Sequence, residues 1–567
     1  MAHIKGIDRN QGVLFPEYLD DYIEPDAPVR LFDAFVGSLR LGKMGFTNVS
    51  STEVGHPSYD PATLLKVLLY GYFYGVRSSR KLARECRCNV ELMWLTGKLF
   101  PDFRTLSDFR KDNISHMEEV FKEFNRFCIR EAILSKSYIS IDGSKFKAVN
   151  AKDQNFTRSK LDDRLAYLNK NIHAYMKALE EADAEEADER KLSREEIKAK
   201  LQELGERKAR YEGYLAEMEK TGATQKSVTD PESRLMKCNE GFCVGYNTQT
   251  AVDADTHMVV GINVVDSPTD HGQITELAKQ VKETMGVDTI EAVADKGYVC
   301  TSDTASALEN GIVPNVIQMD GSSEINATFE YEEGQVSAEQ LASTAPEDIK
   351  ACLRSGNVPD IYKDILSDPK IIETTHSEYV ANDGDILQLS AAQMKETAMK
   401  GYFVRDPKRN LVYCPQGCVL RQKCINAQGQ IIYYNRLACL RCKHKCTSSP
   451  RKEVAFSKDM LVRSCGKVLK GKDAANVLGV ENVPFQKTTV RKKFVRYRFK
   501  LDEKKMVQRK CLSEHPFGTV KRSLSGSYLL LKGKAKATGE MSLMFLAYNL
   551  RRAITMKGVG ELVESLA

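Results

Sequence analysis

The chain has no apolar run approaching the roughly 20 residues that a membrane-spanning helix needs. Its opening, "MAHIKGIDRNQG", lacks the apolar core of an export signal. The expectation is a cytoplasmic protein without a membrane partner. Its fifteen cysteines are then read as free thiols or metal ligands rather than disulfides. Tryptophan is nearly absent, and the single Trp94 is assigned to a core. Tandem repeats and long low-complexity tracts are missing too. With 42% hydrophobic and 28% charged residues, the chain is not a disordered one. Its 567 residues suggest roughly two to four domains.

Acid is scarce in one stretch. Between Gln486 and Lys536 there are sixteen Lys or Arg against three acids, Asp502, Glu503 and Glu514. The net charge is only +6, so this block is a local excess, and it implies a polyanionic partner. Phe494, Tyr497 and Phe499 are interleaved with the cations, which fits nucleic acid.

What is present reads in order. Residues 1–135 form a helical domain in which Pro61 starts a helix and "LLKVLLYGYFYGV" is too apolar for a surface. "SSRKLARECRCNVELMWLTG" reads as helix, turn, helix. Arg77, Arg80, Lys81 and Arg84 are its candidate phosphate contacts, with a plain packing domain as the other reading. Residues 136–310 carry strand signals and hold an inserted helical hairpin at 158–220. There Leu161, Leu165, Leu168, Ile172, Tyr175 and Leu179 keep a heptad seam with Ile197, Leu201, Leu204, Tyr211, Leu215 and Met218, with a dimerising coiled coil as the alternative. Ser193 with Glu196 fits a capping box at the start of the second helix. Residues 311–500 are less regular, with a Cys-rich segment at 412–447 and the basic segment. Residues 501–567 return to helix.

Chemistry is expected at the strand ends. "SYISIDGSKFKA" puts Asp142 at the end of a first strand, and "TIEAVADKGYV" puts Asp295 at the end of a fourth. If these strands are parallel neighbours, both carboxylates emerge at one sheet edge. Two adjacent acids raise each other's pKa, and a divalent cation between them resolves the repulsion. Oxygen ligands alone favour Mg²⁺ or Mn²⁺. A third acid would complete a site for in-line displacement at phosphorus, and "VQRKCLSEHPFGTVKR" supplies Glu514. Lys510 and Lys521 lie one and about two helical turns from Glu514, placed to reach phosphates. Arg509 and Arg522 of the same stretch are further DNA-contact candidates. Pro516 is expected to disturb this helix. Asp253, Asp255, Asp266 and Asp270 flank the strands; most read as turn residues, and one of them as a support for a ligand.

In these stretches, and in "TDPESRLMK…GYNTQTAVDADTHMVV" and "YDPATLLKVLLYGYFYGVRSSRKL", the chain resembles the DDE transposases of bacterial insertion sequences. More narrowly, it resembles the subgroup with a helical hairpin after the first Asp and a Cys-rich insert before the Glu. The resemblance implies an α/β fold with a ribonuclease H-like mixed-sheet core and Asp142, Asp295 and Glu514 as its Mg²⁺-binding catalytic triad. It implies cutting of an element's ends and their joining to target DNA, by a homodimer on DNA. Related enzymes carry a Tyr-Arg-Glu-Lys signature; here Val507 stands at the tyrosine position and Lys510 at the arginine position, while Lys521 matches. A nuclease or an inactive DNA-binding derivative of the same fold is the alternative, and a zinc-dependent regulator a third.

The spacing in "CPQGCVLRQKC" and "CLRCKHKC" fits a structural zinc site. The preferred set is Cys414, Cys439, Cys442 and Cys446, because the resembling family also has a cysteine before Pro-x-Gly. Cys418 and Cys424 remain alternates.

Overall fold

The computed structural model describes residues 18–49, 58–135, 137–184, 194–238, 241–381, 389–426, 428–449, 451–464, 466–469, 471–480 and 485–567. Ser193 of the expected capping box lies outside them. Two compact units are present. One comprises residues 1–155, 226–371 and 495–567, the other 156–225 and 372–494. Among the described residues no helix is long and apolar enough to cross a membrane.

The first unit opens with helices between Pro28 and Arg130. Asp60 caps the Pro61–Phe73 helix by accepting from the Ala62 amide, and Pro61 takes the first helical position. The interior of that helix, including Leu65, Val67, Leu68 and Tyr72, is buried on every side. It packs against the Lys534–Lys557 helix, which is itself largely buried. The Lys534–Lys557 helix also packs against the Ile114–His116 turn, where Gly539 permits the approach, since a Cβ there would lie 1.8 Å from the Ile114 carbonyl oxygen.

The same unit holds a mixed sheet. Its strands are β1 (Ile139–Lys147), β2 (Arg234–Cys238), β3 (Gly241–Asp253), β4 (Val259–Val265), β5 (Ile290–Ala294) and β6 (Ile312–Val316). The order is β2-β3-β1-β5-β6, with β4 also paired to β3. β3 is antiparallel to β1, β2 and β4, whereas β1–β5 and β5–β6 are parallel. The Ile274–Met285 and Thr301–Glu309 helices make the crossovers, and the Glu503–Arg522 helix packs on β1, β3 and β5. Pro516 sits inside this last helix without ending it.

Three expectations are corrected in this unit. Asp142 lies inside β1, because β3 continues to pair with β1 as far as Lys147. Tyr497 and Phe499 are fully buried with Phe329, Leu353 and Tyr362, while Arg496, Arg498 and Lys500 between and beside them are exposed. The cation–aromatic interleaving is thus strand alternation, with the rings inward. Cys238 and Cys243 form a disulfide, not free thiols; they end β2 and begin β3 with Cα atoms 6.1 Å apart, within disulfide reach.

In the second unit the Arg158–Ala184 and Arg194–Thr221 helices form the expected hairpin, and Leu161, Leu165, Leu168, Leu204, Tyr211 and Met218 bury its seam. The Cys-rich segment is more regular than expected. Strands Phe403–Asp406, Leu411–Tyr413, Val419–Ile425, Ile431–Tyr434 and Glu453–Phe456 run as an antiparallel meander. Phe403, Val412, Leu420, Tyr433 and Phe456 give it a core of its own. Strands of three to seven residues leave too little periodicity to read from sequence.

Candidate active site

The parallel pairing of β1 with β5 sets the site. Ile139 and Ser140 stand opposite Ala292 and Val293, so Asp142, inside β1, comes level with Asp295, which directly follows β5. Asp295 caps a short turn by accepting from the Gly297 amide at 2.8 Å. Asp142 accepts from the Gly143 amide at 2.8 Å. Burial pushes the Asp142 carboxyl above the usual carboxylate range; the Gly143 amide and Arg509 hold it back, and Asp295 pushes it further. Asp142 and Asp295 are the pair of carboxylates that the sequence placed here.

The Glu503–Arg522 helix covers β1 with one face. Arg509 Nη1 lies 3.7 Å from Asp142, the buried Ser513 hydroxyl donates to the Arg509 carbonyl at 3.1 Å, and the Phe517 ring packs 6.1 Å from that of Phe146. Lys521 Nζ donates to Ser144 Oγ at 2.6 Å and stands 4.8 Å from the Phe146 ring centre. Its pKa is lowered by burial and by nearby Lys145. Glu514 follows Ser513 and is exposed. Among the described residues no three His, Cys, Asp or Glu side chains are gathered as a metal would need. The structure therefore brings Asp142 and Asp295 together and leaves Glu514 outside their immediate group.

The expected DNA contacts separate into two kinds. Arg77 is buried: it donates to Ser525 O, Tyr528 O and Glu540 Oε1, each at 2.6 Å, and lies 4.9 Å from the Tyr528 ring centre. Arg509 is buried against Asp142. Neither presents its charge to DNA, because both guanidiniums are spent inside the fold. Arg80, Lys81 and Arg84 are exposed on the Ser79–Cys88 helix, with Arg80 stacked 5.2 Å from the Phe103 ring centre. Arg522 is exposed and Lys521 half-buried. The side chain of Lys510 lies outside the described residues.

The cysteines stay in local pairs. Cys414 and Cys418 close a strand-to-strand turn, with the Cys414 amide donating to the Cys418 carbonyl at 2.9 Å. Cys439 accepts from the Lys452 amide at 3.4 Å, and the Cys442 thiol donates to the His444 carbonyl at 3.3 Å. Cys424 and Cys446 are exposed. Among the described residues no three of these side chains are gathered as a metal would need.

One group was under-read in the sequence. Asp270 Oδ1 accepts from Lys145 Nζ at 3.1 Å and from Asn247 Nδ2 and Gln249 Nε2, both at 2.7 Å. Tyr298 in turn donates to Gln249 Oε1. No signal short of the fold joins residues 125 positions apart.

Residues 17–112 match the family described as a transposase domain, DUF772. No curated protein and no solved structure matches the chain.

Proposed function

We propose that this chain, whose residues 17–112 match a transposase domain, is a DNA transposase. In this reading it cuts the ends of an insertion sequence and joins them to target DNA. The observation that carries the reading is the emergence of Asp142 and Asp295 from parallel neighbours β1 and β5, beneath a helix that belongs to the basic block. The strand order and directions, four antiparallel strands followed by two strands added in parallel through helical crossovers, support a ribonuclease H-like core.

Asp142 and Asp295 fit a Mg²⁺ ion or Mn²⁺, since both are oxygen donors, and Asp142 is raised first by burial and further by the charge of Asp295. Glu514 is the third ligand of this reading. When bound, the cation activates a water or a 3′-hydroxyl and stabilises the leaving oxygen. The chain's own residues do the rest. Arg509 offsets the charge of Asp142. Lys521 brings a half-buried cation to the rim, where a phosphate would replace its lost hydration. Arg80, Lys81 and Arg84 offer a separate basic helix face for the element's end, and pairing two ends asks for a dimer on DNA.

The test is cleavage and joining of DNA carrying the element's ends, with Mg²⁺. Asp142→Asn and Asp295→Asn should each lower the cleavage rate on the order of a thousandfold or more, with DNA binding kept. Glu514→Gln should do the same. Cleavage that survives both aspartate substitutions sinks the proposal; cleavage without joining would favour a nuclease.

A further inference from the structure

We propose that Asp270 is a positioning residue for the acidic site, wedged between the backbones that carry Asp142 and Asp295 so that it fixes their separation. The inference rests on the DNA-cleavage reading above and deepens it.

Two glycines mark the wedge. Gly143 follows Asp142 directly, and a Cβ on it would lie 2.7 Å from Asp270 Oδ1 and 2.5 Å from Gln249 Nε2. Gly297 follows Asp295 by two, and a Cβ there would meet Asp295 Oδ1 at 2.9 Å and Asp270 Oδ2 at 3.9 Å. Gly143 thus leaves open the space that Asp270 and Gln249 fill, while Asp270 Oδ2 comes within van der Waals range of the Cβ position at Gly297. A single carboxylate reaches toward both sides of the site.

The wedge is itself held. Lys145, Asn247 and Gln249 all donate to Asp270, and register explains why they converge. Lys145 stands opposite Asn247, and Gly143 opposite Gln249, in the β1–β3 ladder, so all four project to one face. Gln249 then receives the Tyr298 hydroxyl, and Tyr298 is buried three residues past Asp295. The chain from Asp270 through Gln249 to Tyr298 therefore ties β3 to the Asp295 turn. The segment bearing Asp270 is anchored just beyond it: His271 Nδ1 lies 3.0 Å from the Val299 carbonyl oxygen, and the Ile274 amide donates to Asp303 at 3.0 Å. Asp270 is an acceptor for several donors at once, which an amide cannot be without turning an N–H toward one of them.

The test uses the full chain and Mn²⁺ alone as the probe, with metal affinity read by calorimetry beside cleavage kinetics. Asp270→Asn should weaken Mn²⁺ binding about 10- to 100-fold, as loss of an outer hydrogen-bond partner does at metal sites. It should lower kcat and leave KM for the DNA end within about twofold. Tyr298→Phe removes only the hydroxyl that orients Gln249, so it should shift both quantities the same way by less, and it serves if Asp270→Asn does not fold. Unchanged Mn²⁺ affinity and kcat in folded Asp270→Asn, or in folded Tyr298→Phe if Asp270→Asn does not fold, overturn the inference. So does a loss confined to KM, which would make Asp270 a support for phosphate contact by Lys145. A wild-type chain that neither cleaves nor loses Mn²⁺ affinity on Asp142→Asn would instead defeat the parent reading.

Discussion

The carboxylates of the first unit and the thiols of the second are held by different means. Asp142 and Asp295 belong to hydrogen-bonded neighbouring strands, so the sheet register alone brings them to one place. Within this unit the polar groups interlock too: Asp270 accepts from three side chains, and Glu540 accepts from Tyr72, Arg77 and the Leu530 amide. The cysteines sit at a turn and around a six-residue helix, Arg436–Arg441, and the hydrogen bonds of Cys414, Cys439 and Cys442 run to residues near them in sequence. A ladder can carry residues distant in sequence to one point, whereas a turn can only pair near neighbours.

The largest effect expected from breaking the interlocked side is at Arg77. Its side chain and that of Glu540 are 4% and 0% exposed. Arg77→Leu leaves a buried carboxylate short of its cation and should cost about 3–5 kcal/mol of unfolding free energy. Adding Glu540→Leu should recover part of that loss, which denaturant titration of the single and double variants would show. A cost below about 1 kcal/mol would mean that the pair is not desolvated. Gly539→Ala comes next. Its Cβ has no room against the Ile114 backbone, and overpacking of this kind should cost about 1–3 kcal/mol.

The acidic site should respond with the opposite sign. The Asp142 carboxyl is raised by burial, and that direction already includes the attraction of Arg509. The native state therefore holds this proton more readily than the unfolded chain does. Ionised Asp142 lowers stability at neutral pH, and the penalty fades as pH falls through the raised value. Asp142→Asn should therefore increase Tm at neutral pH, with the gap closing as pH drops through that value. Cleavage should fail on the acid side above the ordinary carboxylate range, because the same group then carries a proton. A variant that is both inactive and more stable is the mark of a site built against stability; equal Tm values at neutral pH would remove it.

The sequence carried the acids because each ends or follows a short β-rich run, and the parallel pairing then put them together. It carried the helical hairpin because its seam repeats over many turns. It misread Arg77, since a cation beside others on a helix looks the same whether it faces water or Glu540, which lies 463 positions away. Tyr497 and Phe499 were misread likewise, because strand alternation and a stacking surface produce one pattern. Asp270 was visible only as one of four acids, most of them turn residues and one a support for a ligand; its partners are set by the β1–β3 register, which no local motif encodes. Glu514 is the reverse case, a motif residue that the helix leaves exposed beside Ser513.

The smallest effect separates the two regions most cleanly. In the conformation described, Cys439 and Cys442 each make one weak hydrogen bond and bury little. Cys439→Ser with Cys442→Ser should then cost less than about 1 kcal/mol, and the core of Phe403, Leu420, Tyr433 and Phe456 should hold the meander without them. A four-thiolate zinc site gives another outcome, since metal binding there is folding free energy: the double variant would lose its zinc, and the second unit would melt separately. Zinc content by atomic emission, read beside the melting profile of wild type and double variant, decides between them. A bound zinc lost together with the unit's fold would mean that the thiols, like the acids, are drawn to one point from separate segments, Cys414 from its strand turn and Cys439 and Cys442 from their helix.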